Sequence, residues 1–233
     1  MDEKHPEQRK HLFGENYQGY ELPDGSYVPG GSYAPDPRRV WGWFEGSLPY
    51  GWSWSGTRVL DLAGNNGYHG LRALREGAAS ATLVEAHPDA CKKAEEVARE
   101  WGLTFHVKQR DIETHPWDKG DPFDVIFAHQ VLYHLERPIH LLRRVAGVLA
   151  PGGVFATYTR IALNVHEKHW EWVPNKATMR TTLEYAGFRS VSFHGPRNAL
   201  RDISPSDERF GVGDRAWRVQ REGQRKVLVV AQV

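Results

Sequence analysis

The segment Val59-Leu60-Asp61-Leu62-Ala63-Gly64-Asn65-Asn66-Gly67-Tyr68-His69-Gly70 runs from an apolar stretch through a tight polar turn into a helix-forming stretch. A strand that passes straight into a helix is half of a βαβ unit, and such units need a parallel sheet with helices on its faces. In open sheets of that kind, ligands bind beyond the carboxyl ends of the strands. The turn from Ala63 to Gly67 therefore sets both the fold to expect and the place to look for a site. Asn is among the few non-Gly residues that accept the left-handed conformation, so this turn can bring its backbone close to a ligand.

The rest of the chain repeats the alternation. Strands are expected at 58–62, 81–85, 103–108, 123–128, 154–158, 189–194 and 226–232. Helices are expected from Tyr68 to Glu76 before Gly77, from Pro88 to Trp101, from Pro138 to Leu149 and from Lys176 to Tyr185 before Gly187. Pro151-Gly152-Gly153 reads as a turn, and 196–225 as a long polar loop. The expected fold class is α/β: a Rossmann-like, seven-stranded, mostly parallel sheet with helices on both faces. Residues 1–55 carry many aromatic residues among Gly and Pro, and read as an irregular aromatic N-terminal cap on the substrate side. Residues 56–233 read as the catalytic domain, a single globular unit.

Composition narrows the functional classes. A net charge of +1 gives no global attraction to nucleic acid. No apolar run has the length of a membrane span, and MDEKHPEQRKH lacks the apolar stretch of a secretory signal. With Cys91 the single cysteine, an internal disulfide is excluded and a cytoplasmic location is expected.

The turn is not a dinucleotide fingerprint, because Ala63, Asn65 and Asn66 stand where glycines are needed. It resembles the first motif of class I S-adenosylmethionine-dependent methyltransferases, Asp-x-Gly-x-Gly-x-Gly, with Ala63 and Asn65 replacing two glycines and Gly67 keeping the third. The resemblance implies S-adenosylmethionine as cofactor. It places Asp61, Ala63, Gly64, Asn65 and Gly67 at the cofactor, Glu85 on the ribose hydroxyls, and Asp111 and Ile112 on the adenine. A carboxylate suits a diol because it accepts two charge-assisted hydrogen bonds. Phe123 to Ala128 resembles the fourth-strand motif.

A narrower resemblance joins Asn65-Asn66-Gly67-Tyr68-His69, Val131-Leu132-Tyr133-His134, Trp172-Val173-Pro174-Asn175 and Ala186-Gly187-Phe188. It is to the branch that holds the tRNA wobble-uridine carboxymethyltransferases and related small methyltransferases. In that branch Tyr133 matches a tyrosine that contacts the carboxylated cofactor.

Transfer of a methyl group is an in-line displacement, which needs alignment and, for an oxygen nucleophile, a base within reach. His134 and His129, just past the fourth strand, are the catalytic candidates; His129 alternatively lines the cofactor pocket. Tyr133, His166 and Trp170 are the substrate-side candidates. His166 and His169 have helical metal spacing, but two histidines are a poor metal signature, and no metal is expected. The leading expectation is methyl transfer to an oxygen of a small-molecule acceptor, in a specialised bacterial pathway. Two alternatives stay open: a tRNA wobble-uridine type enzyme, and non-methylating chemistry such as attack at another sulfonium carbon or cyclisation. A tRNA partner is less favoured than a small molecule, no membrane partner is expected, and the sequence does not fix the oligomeric state.

Overall fold

The computed structural model describes residues 18–31, 36–162, 172–195 and 224–233. A short hairpin, β1 (Tyr20–Glu21) with β2 (Tyr27–Val28), precedes helix α1 (Pro37–Glu45). Then come β3 (Arg58–Leu62), α2 (Tyr68–Arg75), β4 (Ser80–Glu85), α3 (Pro88–Glu100), β5 (His106–Gln109) and β6 (Phe123–Phe127). A single 3₁₀ turn (Leu132–His134) leads to α4 (Pro138–Val148), β7 (Leu149–Ala162), α5 (Lys176–Ala186), β8 (Ser190–His194) and β9 (Gln224–Gln232).

The main sheet has seven strands in the order β5-β4-β3-β6-β7-β9-β8. Strand β9 is antiparallel to both neighbours, and the other pairings are parallel. The order reverses between β3 and β6, the switch point at which open sheets bind ligands. The central strands are buried on both faces. Leu60, Leu62, Ile126, Phe155, Val227 and Val229 face one core layer, with α4 and α5 over them. Val59, Val125, Phe127, Ala156, Leu228 and Val230 face the other.

That second layer holds the main departure from expectation. The N-terminal segment, expected to be irregular, contributes a nine-residue helix. Asp36 caps it by accepting from the Arg38 N–H, and Pro37 occupies the first turn. Val40, Trp41 and Phe44 fall on one face of the helix and are buried beside Trp54 and Phe127. Trp41 and Phe44 are therefore core residues, as cap-to-sheet packing requires; Trp43 is half-buried, its ring 6.0 Å from that of Tyr158.

Three boundaries also move. The strand expected at 103–108 is β5 at His106–Gln109, because Leu103 instead closes α3 through its N–H to the Ala98 carbonyl. The strand expected at 154–158 runs from Leu149 to Ala162, since β9 pairs with it from Val154 to Ala162 and β6 takes up Leu149 through Phe123. Gly152, at φ 78°, provides the irregularity that admits Pro151 to Gly153. Residues 224 and 225, expected in a loop, open β9.

Candidate functional site

The turn after β3 follows a left-handed path at three alternate residues: Ala63 at φ 51°, Asn65 at φ 54° and Gly67 at φ 71°. Ala63 and Asn65 thus hold the conformation that glycine usually supplies, at a steric cost characteristic of functional turns. Gly64 needs its missing side chain for another reason. A Cβ there would drive into the Asp61 carboxylate, which lies directly beneath the turn.

Asp61 is fully buried. Its Oδ2 accepts from the Gly70 N–H at 3.1 Å, while Oδ1 has no partner. Burial, with some repulsion from Glu85, pushes its pKa up to about 7. Glu85 ends β4 and accepts from two backbone groups, the Asn65 N–H at 3.0 Å on Oε2 and the His87 N–H at 2.8 Å on Oε1. Burial raises its pKa, against the pull of those hydrogen bonds. Each oxygen keeps a lone pair for a diol.

The Arg110 N–H reaches the Glu85 carbonyl at 2.8 Å, which brings Asp111 and Ile112 to the carboxyl ends of β4 and β5. Ile112 is buried in the core layer under α4. Asp111 is exposed and accepts from the Glu113 N–H at 2.7 Å. The segment that leads into the hairpin meets the turn: the Asn66 Nδ2 donates to the Gln18 carbonyl at 2.7 Å. Glu21 holds it there through Arg72 and Arg75 of α2 and the Tyr68 hydroxyl.

Two histidines meet behind the turn. His69, the second residue of α2, and His129, just past β6, have ring centroids 4.1 Å apart. The His129 Nδ1 accepts from the Tyr158 N–H at 2.7 Å, so its neutral ring carries the proton on Nε2. Burial pushes the His129 pKa down to about 3, and that of His69 well below its usual range. Both Nε2 atoms are buried without a partner, as are the Asn65 and Asn66 Oδ1 atoms. Orphaned polar atoms gathered at one cleft are costly unless a polar ligand pairs with them. This donor and acceptor set, with the Gly64 cradle, fits a ligand carrying a diol and charged polar groups. Among the described residues, no group of three His, Cys, Asp or Glu stands together as a metal site.

The other side of the cleft is cationic. Tyr133 is buried against Val173, with the Arg160 guanidinium 4.5 Å above its ring. His134 is exposed on the 3₁₀ turn, its ring 4.4 Å from that of Tyr133. Desolvation of the ring, and then the Arg160 and Lys226 charges, push its pKa down to about 4. Asn175 caps α5 by accepting from the Thr178 N–H, which accounts locally for the Val173-Pro174-Asn175 signal. His166 and Trp170 lie outside the described residues. His69, Gln130 and Arg160 also stand in this candidate region; His69 belongs to the Asn65–His69 segment, while nothing local in the sequence distinguishes Gln130 or Arg160.

Residues 53–194 match a family model described as a methyltransferase domain. The tRNA U34 carboxymethyltransferase of Chromohalobacter salexigens is 32% identical over 142 residues, 59% of this chain and 42% of the relative. That of Citrifermentans bemidjiense is 28% identical over 184 residues, 73% of this chain and 56% of the relative. The chain spans about half the length of these curated relatives. The crystal structure of the N-terminal domain of EvdMO1 with SAH bound superposes with a TM-score of 0.67 at 20% identity, covering 100% of this chain and 98% of that one. At that identity the likeness speaks for the fold.

Proposed function

We propose, from the premise that the chain belongs to the methyltransferase-domain family, that it transfers the methyl group of S-adenosylmethionine to an oxygen of a small-molecule acceptor. The observation that carries the acceptor side is His134. It is an exposed imidazole kept neutral on the turn after β6, where it can receive a hydroxyl proton.

When bound, S-adenosylmethionine supplies an electrophilic methyl carbon on a sulfonium. The chain's own residues then divide the work. Glu85, fixed by the Asn65 and His87 N–H groups, would hold the ribose hydroxyls. The Ala63–Gly67 turn, seated on Asp61, would carry the amino-acid end, and Asp111 with Ile112 the adenine. His129 acts as a fixed Nε2–H donor rather than a base, because the Tyr158 N–H already occupies its Nδ1. Tyr133, His166 and Trp170 are proposed to line the acceptor side. His134 takes the proton from the acceptor oxygen as the methyl group is transferred, leaving a cation that the exposed turn can pass to water.

A second reading is transfer to tRNA. It is favoured by the relatives named tRNA U34 carboxymethyltransferase. The near-neutral charge of the chain supports it less well. It predicts preference for the carboxylated cofactor and steeply salt-dependent tRNA binding.

Calorimetric titration with S-adenosylmethionine and its carboxylated analogue separates the readings. Tight binding of the ordinary cofactor, followed by release of S-adenosylhomocysteine with a small hydroxylated acceptor, is the expected result. Preference for the carboxylated form would put the tRNA reading first, and binding of neither by folded protein would remove both.

A further inference from the structure

We infer that Arg144, on α4, is a positioning residue for the cofactor's adenine: its guanidinium holds segment 111–118 in the path that presents Asp111 and Ile112 to the ring. This deepens the cofactor reading above and rests on it. The segment follows β5 and contains neither helix nor strand, so no regular ladder satisfies its carbonyls. Arg144 does so instead. Its Nη1 donates to the Ile112 carbonyl at 2.9 Å and the Glu113 carbonyl at 3.4 Å, and its Nη2 to the His115 carbonyl at 2.7 Å. The remaining donors grip Asp118 bidentately, Nε to Oδ2 at 2.8 Å and Nη2 to Oδ1 at 3.0 Å. Every N–H donor of the guanidinium is thus spent on one loop.

The grip is sheltered from water. The Arg144 side chain is 12% exposed, and its guanidinium lies 4.3 Å over the ring of the buried Trp117. The Trp117 Nε1 donates at 2.7 Å to the same Ile112 carbonyl, so both lone pairs of that oxygen are taken. Glu113 fastens the loop to the start of the same helix. Its carboxylate accepts from the Glu136 N–H at 3.1 Å and the Arg137 N–H at 2.9 Å, just ahead of Pro138, where α4 has no capping side chain of its own. Ile112 is thereby kept in the core layer while Asp111, one residue before it, is exposed. The Asp111 Oδ1 accepts from the Glu113 N–H, which leaves Oδ2 for an amino donor such as that of adenine. Lysine is a poor substitute at position 144, because an ammonium has three donors and no planar fork.

The test uses the whole chain and two ligands, S-adenosylhomocysteine and S-inosylhomocysteine, which has a carbonyl in place of the adenine amino group. Calorimetry on the parent should show a preference for S-adenosylhomocysteine of at least about tenfold, the worth of one hydrogen bond to a carboxylate. Binding of neither by the folded parent would remove the cofactor reading itself, and equal binding of both would overturn the proposal alone. Arg144→Lys should weaken S-adenosylhomocysteine by about tenfold and leave S-inosylhomocysteine within about threefold, so that the preference collapses. A merely structural role would not move that ratio: equal loss of both ligands, or an unchanged preference, would overturn the assignment. Asp118→Ala removes the bidentate part of the grip at its more exposed end and should narrow the preference in the same direction by about threefold. An unchanged ratio in that variant would overturn the assignment as well, whether or not Arg144→Lys folds.

Discussion

The two sides of the cleft solve the same problem with opposite charge. Beside β3 and β4, Asp61 and Glu85 are buried carboxylates held by backbone N–H groups, and the turn passes so close that Gly64 admits no side chain. Beside β6, β7 and β9, the groups are His134, Arg160 and Lys226, all at side-chain ends on the rim of the sheet. The first side is set by main-chain path and has little room to vary. The second is set by which side chains the strands happen to oppose, and can be retuned by single substitutions without moving the backbone.

The steepest way to break the comparison is Gly64→Ala. It should lower S-adenosylmethionine affinity by about 100-fold, or roughly 2.7 kcal/mol, by displacing the turn from Asp61. Calorimetry on folded protein that returned the parent affinity would show that the turn is not sterically fixed. On the opposite side, His134→Ala should lower kcat by about 10- to 100-fold while leaving cofactor affinity within about twofold. In the parent, the neutral imidazole is the active form, so kcat/KM should fall as pH drops through about 4. The variant should lose that limb. A loss confined to cofactor affinity would move His134 to the cofactor side.

Asp61 sharpens the contrast through pH. Its folded pKa of about 7 lies above the ordinary carboxyl value, so the folded chain binds the extra proton and the unfolded chain does not. Stability from this group is therefore full at acid pH and lost as pH rises toward 7, with a slope approaching about 1.4 kcal/mol per pH unit. The depressed histidines act in the opposite sense below their unfolded pKa, so the informative quantity is the difference between parent and Asp61→Asn. Denaturant melts of the two should diverge progressively between about pH 4 and pH 7; parallel curves would deny the buried carboxyl. The smallest expected effect is Ala63→Gly, which relieves a left-handed alanine and should raise stability by about 1 kcal/mol. A fall in melting temperature would show that the Ala63 methyl contributes more by packing than it costs in strain.

Much of the geometry of the turn after β3 was legible in the sequence because its determinants are local. Asp61, the turn residues and Glu85 come together through one βαβ unit, whose strand and helix limits were read to within a residue or so. The region past β6 was legible only in part. Tyr133 and His134 follow β6 closely in the chain, but nothing near Arg160 or Gln130 in sequence announces that they come to the same rim as Lys226. Helix α1 was missed because Gly and Pro around it read as breakers, while its burial depends on Trp54 and Phe127 from elsewhere.

The alternation of strands and helices and the left-handed turn were written in the amino-acid sequence, since each depends on side-chain size and backbone preference within a few residues. Sheet order decided the rest. It set Lys226 on Gln130 across 96 residues and His129 on His69. Contacts of that kind follow from which strands lie side by side, and no local preference encodes them.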